Sequence, residues 1–139
     1  MEQQIDRIIG NPLVASLAYV SVTVLALLVF LYIFELVTRY NCWDQIKKGN
    51  VAVAMATGGK IFGICNIFRF SIDANGSIYE SMGWASFGFA LLLAAYFLFE
   101  FLTPVFRIDE EIERDNRAVG LIAMIISVSL SYVIGATII

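Results

Sequence analysis

Four long apolar runs alternate with short polar segments along the chain. The runs cover residues 13–36, 51–68, 82–103 and 118–139. A run of about 20 apolar residues, at 1.5 Å per residue in a helix, crosses the roughly 30 Å core of a bilayer. Because backbone polar groups must bond internally in hydrocarbon, helices are expected for such runs. The pattern therefore predicts an all-α integral membrane protein with four transmembrane helices.

Composition supports this prediction. Hydrophobic residues make up 60% of the 139 positions, whereas a soluble domain is about 45–50% apolar. We expect one membrane domain, 1–139, with the lipid bilayer as its surroundings and no nucleic-acid partner. The first run is longer than the apolar region of a signal peptide, about 7–15 residues, and follows Glu2 and Asp6 instead of a basic segment. It is expected to stay as an anchor.

Lysine and arginine counts predict the orientation. Segments 38–49 and 104–117 hold six of these residues, against two in the N-terminal lead and in the segment between the second and third runs. Short cytoplasmic loops of membrane proteins are enriched in Lys and Arg. Loops 38–49 and 104–117 are therefore predicted to be cytoplasmic, with both termini outside.

The two halves of the chain resemble each other at an offset of 65 residues, which becomes 66 after one inserted residue. The matching pairs include Glu35 and Glu100, Thr38 and Thr103, Asp44 and Asp109, Ile46 and Ile112, and Asn50 and Asn116. Several pairs are polar, which chance similarity between apolar runs does not explain. We predict a tandem repeat of two helical hairpins in the same orientation, with repeat 1 at about 13–70 and repeat 2 at about 78–139.

The polar loop motifs resemble a known family. Loop 1 supplies Thr38, Asp44, Ile46, Gly49, Asn50, Ala52 and Ala54, and loop 3 supplies Thr103, Pro104, Asp109, Ile112, Asn116 and Ala118. This pattern resembles the YjfL-like bacterial membrane proteins, domain-of-unknown-function family 350. The resemblance implies a bacterial inner-membrane protein of four helices with relatives linked to envelope stress, and it implies no catalytic residues. The chain departs from the pattern at Arg39, Asp115 and Lys60.

Lys60 is the one charge inside the second run. It lies about 15 Å along the helix from Asn50, near mid-membrane. A central lysine costs about 2.5–3.5 kcal/mol on insertion scales, so it should face the bundle or water. The repeat-related acids Glu35 and Glu100 are candidate partners. Three interpretations remain open: a structural ion pair, a site for a proton, ion or anionic ligand, or a contact with another membrane protein.

Small residues at four-residue spacing mark candidate packing surfaces on the last three helices. They include Gly59 and Gly63, then Ser86, Ala90 and Ala94, and finally Ser127 and Ser131. In lipid, helices associate through close packing of such residues. The stripes suit packing within one chain, and they also make a homo-oligomer a candidate assembly.

No catalytic set is recognisable in the sequence. Histidine is absent, which removes the commonest metal ligand and general base. Cys42 and Cys65 are predicted near opposite membrane faces and have no ligand-forming neighbours, so neither a disulfide nor a metal site is expected. We expect no cofactor and no enzymatic activity.

Two functions remain, and they depend on different residues. The first is a membrane partner or anchor in an envelope-related complex, which binds a cytoplasmic or membrane protein through charged loop residues. These candidates are Asp44, Lys47, Lys48, Asp109 and Arg114. The alternative is a small ion or solute transporter or channel that uses Lys60 with Glu35 or Glu100.

Overall fold

The computed structural model describes residues 1–38, 40–102 and 107–138. Four residues that enter the sequence predictions lie outside the described residues: Arg39, Thr103, Pro104 and Ile139. The described part forms seven helices and contains no strand. The helices are α1 (Glu2–Ile9), α2 (Pro12–Val37), α3 (Cys42–Lys47), α4 (Val51–Ala74), α5 (Ile78–Leu102), α6 (Ile108–Glu113) and α7 (Arg117–Thr137).

Four of these helices, α2, α4, α5 and α7, are long and apolar enough to cross a bilayer. Even α7, with 21 residues, extends about 32 Å at 1.5 Å per residue, which matches the hydrocarbon core. The prediction of an all-α membrane protein with four transmembrane helices is confirmed. The two short helices α3 and α6 lie within the predicted loops, where no helix was expected.

α4 and α5 extend closer to each other than the apolar runs indicated. α4 continues to Ala74 and α5 begins at Ile78. The Ser77 hydroxyl oxygen accepts the backbone N–H of Glu80 at 3.2 Å, so a polar side chain satisfies a free amide in the first turn of α5. Such end effects are not visible in hydropathy, which explains the difference in boundaries.

α4 is the central helix of the bundle. Within its apolar span 61% of the residues are buried, against 6% in α2 and 22% in α5 and in α7. Ile64 and Ile67 of α4 are fully buried, and they cluster with Phe34 of α2 and Phe89 of α5. The outer helices therefore present most of the lipid-facing surface, while α4 carries the core.

The most extensive helix contact joins α4 to α7. A Cβ atom added at Gly59 would lie 2.7 Å from Met124 Cα, and one added at Gly120 would lie 2.7 Å from Ala52 Cα. Only glycine permits backbones to approach this closely, which is how small residues strengthen helix pairs in lipid. The two helices that open after the basic loops thus form the tightest pair.

The turns before α4 and α7 have the same geometry. Gly49 and Asp115 have positive φ angles of 87° and 61°, and the next residues, Asn50 and Asn116, each donate a backbone N–H to a carbonyl five residues earlier. A left-handed Asp costs roughly 1–2 kcal/mol, but Asp115 Oδ1 also accepts the Ala52 N–H at 3.0 Å. A duplication would produce matching turns of this kind, and the duplication itself stays a prediction.

Candidate functional site at Lys60 and Asp109

Lys60 is buried inside the bundle, with only 4% of its surface exposed. Its ammonium nitrogen lies 5.0 Å from the ring centre of Phe34 on α2 and 4.9 Å from that of Tyr96 on α5. A cation within about 6 Å of an aromatic face is attracted by the ring quadrupole. Two neighbouring helices therefore supply an aromatic environment for this charge.

Tyr96 also contacts Asp109, the second buried charge among the described residues. Its hydroxyl donates a hydrogen bond to Asp109 Oδ1. Asp109 belongs to α6 and is 1% exposed, because α6 packs on both α4 and α7. A buried carboxylate is costly unless it is hydrogen-bonded or paired. Tyr96 thus offers its ring to Lys60 and its hydroxyl to Asp109.

The predicted acidic partners lie in the half of the bundle nearest α3 and α6. Glu35, near the end of α2, lines a small recess together with Lys60, and Glu100 is partly buried near the end of α5. Among the described residues, no ion pair within 4 Å includes Lys60. A functional use of Lys60 with Glu35 or Glu100 stays a prediction.

The recess beside Lys60 is small and has both apolar and polar lining residues. Its volume is about 10 Å³, which is room for about one water molecule. Cys42 and Thr57 form part of its wall. The Thr57 hydroxyl oxygen is buried and bonds no nitrogen or oxygen atom of the described residues, and the Cys42 thiol beside it is a weak partner. The sequence did not single out Thr57, because a threonine in an apolar helix usually bonds a carbonyl of its own helix.

Two titratable groups in the segment that connects α2 to α4 are held in their neutral forms. Burial raises the pKa of the Cys42 thiol, and the positive charge of Lys60 opposes this only in part. Burial, together with the negative charge of Asp109, raises the pKa of the Tyr40 phenol. Neither group is therefore an activated nucleophile at neutral pH. Within the described ranges, no group of three His, Cys, Asp or Glu side chains is placed to hold a metal.

The candidate loop contacts differ in exposure. Four of them are exposed on α3, α6 or their C-terminal caps: Asp44, Lys47, Lys48 and Arg114. Asp109 is buried against Tyr96, so it is not accessible to a partner in this conformation. Asp109 and the fully buried Ile112 are three residues apart and share one side of α6. The three-residue spacing between Asp109 and Ile112 could have indicated, from the sequence, that Asp109 faces the bundle.

The candidate packing residues of α4 and α7 lie in the contact between these two helices, whereas those of α5 are exposed. A Cβ atom at Gly59 would meet the α7 backbone, and one at Gly63 would lie 3.2 Å from the Ser127 carbonyl oxygen. Asn66 Nδ2 donates to Ser131 Oγ at 3.0 Å. The sequence did not identify Asn66, which adds a buried polar link to this helix pair.

The residues of this site all lie in the part of the chain that matches one known protein family. The family model described as Domain of Unknown Function (DUF350) matches residues 8–138. The UPF0719 transmembrane protein YshE of Bacillus subtilis (strain 168) is 59% identical over 126 residues, which cover 91% of this chain and 94% of the relative. The UPF0719 inner membrane protein YjfL of Escherichia coli (strain K12) is 27% identical over 112 residues, 80% of this chain and 83% of the relative. No solved structure matches the chain.

Proposed function

This chain belongs to the DUF350 family, and we propose that it is a non-enzymatic anchor in the bacterial inner membrane that binds another protein through α3 and α6. One observation carries the proposal. Both short helices are fixed to the bundle by buried contacts, while their outer sides carry exposed charges. An ordered, charged surface at a membrane face suits recognition of a partner, because little conformational entropy is lost on binding.

Hydrogen bonds to the start of α4 hold α6 in place. Asn50 Nδ2 donates to the carbonyl oxygens of Ile112 and Glu113, at 3.3 and 2.8 Å. Ala52 N–H donates to Asp115 Oδ1. One asparagine thus caps α4 and holds the end of α6, so α6 has a fixed position against the start of α4.

The exposed side of this surface carries both signs of charge. Asp44, Lys47 and Lys48 extend from α3 and its cap, and Arg114 follows α6. Trp43 beside them is 53% exposed, and tryptophan and arginine are enriched among the residues that contribute most to protein interfaces. We expect a partner with a polar, mixed-charge surface and an apolar recess for Trp43.

Affinity purification from native membranes in mild detergent tests the proposal. We expect a near-stoichiometric partner that is lost when Lys47, Lys48 and Arg114 are all changed to Glu. Asp73→Lys is the control, since Asp73 is an exposed charge at the opposite end of α4. Recovery of the same partner with both variants, or of no partner with the unchanged protein, would contradict the anchor function.

The alternative is a small ion or solute transporter or channel. It is favoured by the burial of Lys60 within a membrane-spanning helix, since charges at that depth often serve transport. Glu35 or Glu100 would act with Lys60 in such a protein. The recess of about 10 Å³ beside Lys60 holds about one water molecule, which favours the anchor. Flux into proteoliposomes that Lys60→Met abolishes would instead support transport.

The orientation belongs to the same proposal. Asn50, at the start of α4, bonds the end of α6, just before α7. Loops 38–49 and 104–117 are therefore expected on the same face of the membrane. Six Lys and Arg residues lie in these loops, which favours the cytoplasm for them and the outside for both termini. A C-terminal alkaline phosphatase fusion should be active and a green fluorescent protein fusion dark. The reverse result would place α3 and α6 outside.

Self-association would use α5. The small-residue stripes of α4 and α7 are occupied by their mutual contact, whereas Ser86, Ala90 and Ala94 on α5 are exposed. Exposed small residues at four-residue spacing suit the close approach of a second copy. Ala90→Leu should therefore weaken any dimer seen by cross-linking in membranes, while Leu91→Ala, at an exposed position about 100° around α5 from Ala90, should not.

A further inference from the structure

α5 and α7 leave a groove between them that no part of the proposed function uses. Its volume is about 360 Å³, within the range of about 300–1,000 Å³ that is typical of small-molecule sites. Its walls are mainly apolar and include Leu92, Phe99, Ile122, Ile126 and Leu130. The groove therefore favours an apolar ligand.

The groove opens where the lipid would be. Both of its main walls are membrane-spanning helices, and Ala118 and Ile122 on its rim are exposed. The molecules present at this opening are acyl chains. The apolar walls and the lipid-facing opening therefore favour an acyl chain, and a partner helix is the competing outcome of the test.

Two arginines adjoin the groove at the end that carries α6. Arg107 precedes the lining residue Ile108, and Arg117 lies between the lining residues Asn116 and Ala118. The side chains of Arg107 and Arg117 are 63% and 68% exposed.

Each arginine has an acidic neighbour in a long, solvent-exposed contact. Arg107 lies 3.5 Å from Glu110, and Arg117 lies 3.8 Å from Asp115. Exposed ion pairs of this kind contribute little, about 0–1 kcal/mol. The guanidinium groups therefore keep N–H donors for a phosphodiester, which arginine binds in a bidentate manner.

We propose that the groove binds one acyl chain of a membrane phospholipid, and that Arg107 and Arg117 bind its phosphate. The acidic neighbours at the same mouth suit an ammonium group, so phosphatidylethanolamine fits the charges as well as phosphatidylglycerol does. Tyr96 also lines the groove. A bound chain therefore contacts the residue whose hydroxyl holds Asp109 of α6.

Native mass spectrometry of the delipidated full chain in detergent tests the proposal. Phosphatidylethanolamine, phosphatidylglycerol and diacylglycerol are added one at a time. We expect one phospholipid per protein and at least about tenfold weaker retention of diacylglycerol, which lacks the phosphate; tenfold corresponds to about 1.4 kcal/mol. Equal retention of diacylglycerol would overturn the phosphate contact. A preference between the two phospholipids identifies the head group and supports the site.

Ala118→Phe should fill the groove and reduce phospholipid retention by about tenfold. Ala136→Phe is the matched control, since Ala136 is also exposed on α7 but lies outside the lining. If Ala118→Phe does not fold, Ile122→Trp replaces it as the blocking change. Equal phospholipid retention by the blocking and control variants would overturn the site, as would a protein dimer that only the blocking variant disrupts.

Discussion

Tyr96 donates its hydroxyl hydrogen to the buried carboxylate of Asp109, which joins a membrane-spanning helix to a short helix at the membrane face. Lys60 lies against the ring of the same tyrosine, 4.9 Å from its centre. A positive and a negative charge are thus separated by one aromatic side chain. Each is stabilised by a different part of Tyr96, which reduces the desolvation cost that a buried charge otherwise imposes.

Tyr96→Phe removes only the hydroxyl from this arrangement. We expect the free energy of unfolding to fall by about 1–3 kcal/mol, because Asp109 loses a donor while staying buried. Reversible unfolding in mixed micelles measures the loss, and amide exchange should become faster in α6. Tyr32→Phe is the control, since Tyr32 on α2 is 61% exposed. Equal effects of the two changes would argue against the bond to Asp109.

Lys60 and Asp109 should be energetically coupled. Tyr96 links the two residues, because its ring centre lies 4.9 Å from the Lys60 ammonium nitrogen and its hydroxyl donates to Asp109. A double-mutant cycle with Lys60→Met and Asp109→Asn should give a coupling energy of about 0.5–3 kcal/mol. The same cycle with Glu35→Gln should give a smaller value. A larger coupling to Glu35 than to Asp109 would show that the recess, and not Tyr96, determines the partner of Lys60.

Local signals in the sequence predicted much of this fold. The four spans follow from hydropathy, because an extended apolar run does not depend on which helices meet and its recognition needs no tertiary information. α3 and α6 were missed because each has six residues, which is too short for a periodic pattern.

The surroundings of Lys60 depend on contacts between helices and were not predictable in this way. Phe34 and Tyr96 are distant in sequence from Lys60, and they meet it only because α2 and α5 both pack on α4. Because charged residues usually lie at the surface, the sequence predicted that Asp109 would be exposed to solvent. Its burial becomes understandable only with the Tyr96 hydroxyl in place.

Thr57→Val should stabilise the protein or leave its stability unchanged. The Thr57 hydroxyl is buried and makes at most a weak hydrogen bond, to the Cys42 thiol, so its replacement by a methyl group removes a poorly satisfied polar group, worth up to about 1–3 kcal/mol. Thr57→Ser is the control: it keeps the hydroxyl and loses one methyl group, about 0.8 kcal/mol. Destabilisation by Thr57→Val would instead mean that the hydroxyl bonds the Cys42 thiol or a water molecule in the recess beside Lys60.

Neighbouring glycines on α4 provide a matched test of the α4–α7 contact. A Cβ atom at Gly59 would lie 2.7 Å from the Cα atom of Met124, so Gly59→Ala must separate the two helices and should cost about 1–3 kcal/mol of unfolding free energy. A Cβ atom at Gly58 would meet no atom of another helix within 4 Å, and Gly58→Ala should gain up to about 1 kcal/mol from helix propensity. Since both changes add one methyl group to one helix, their difference in unfolding free energy isolates the packing term. A difference near zero would mean that α4 and α7 do not pack backbone to backbone.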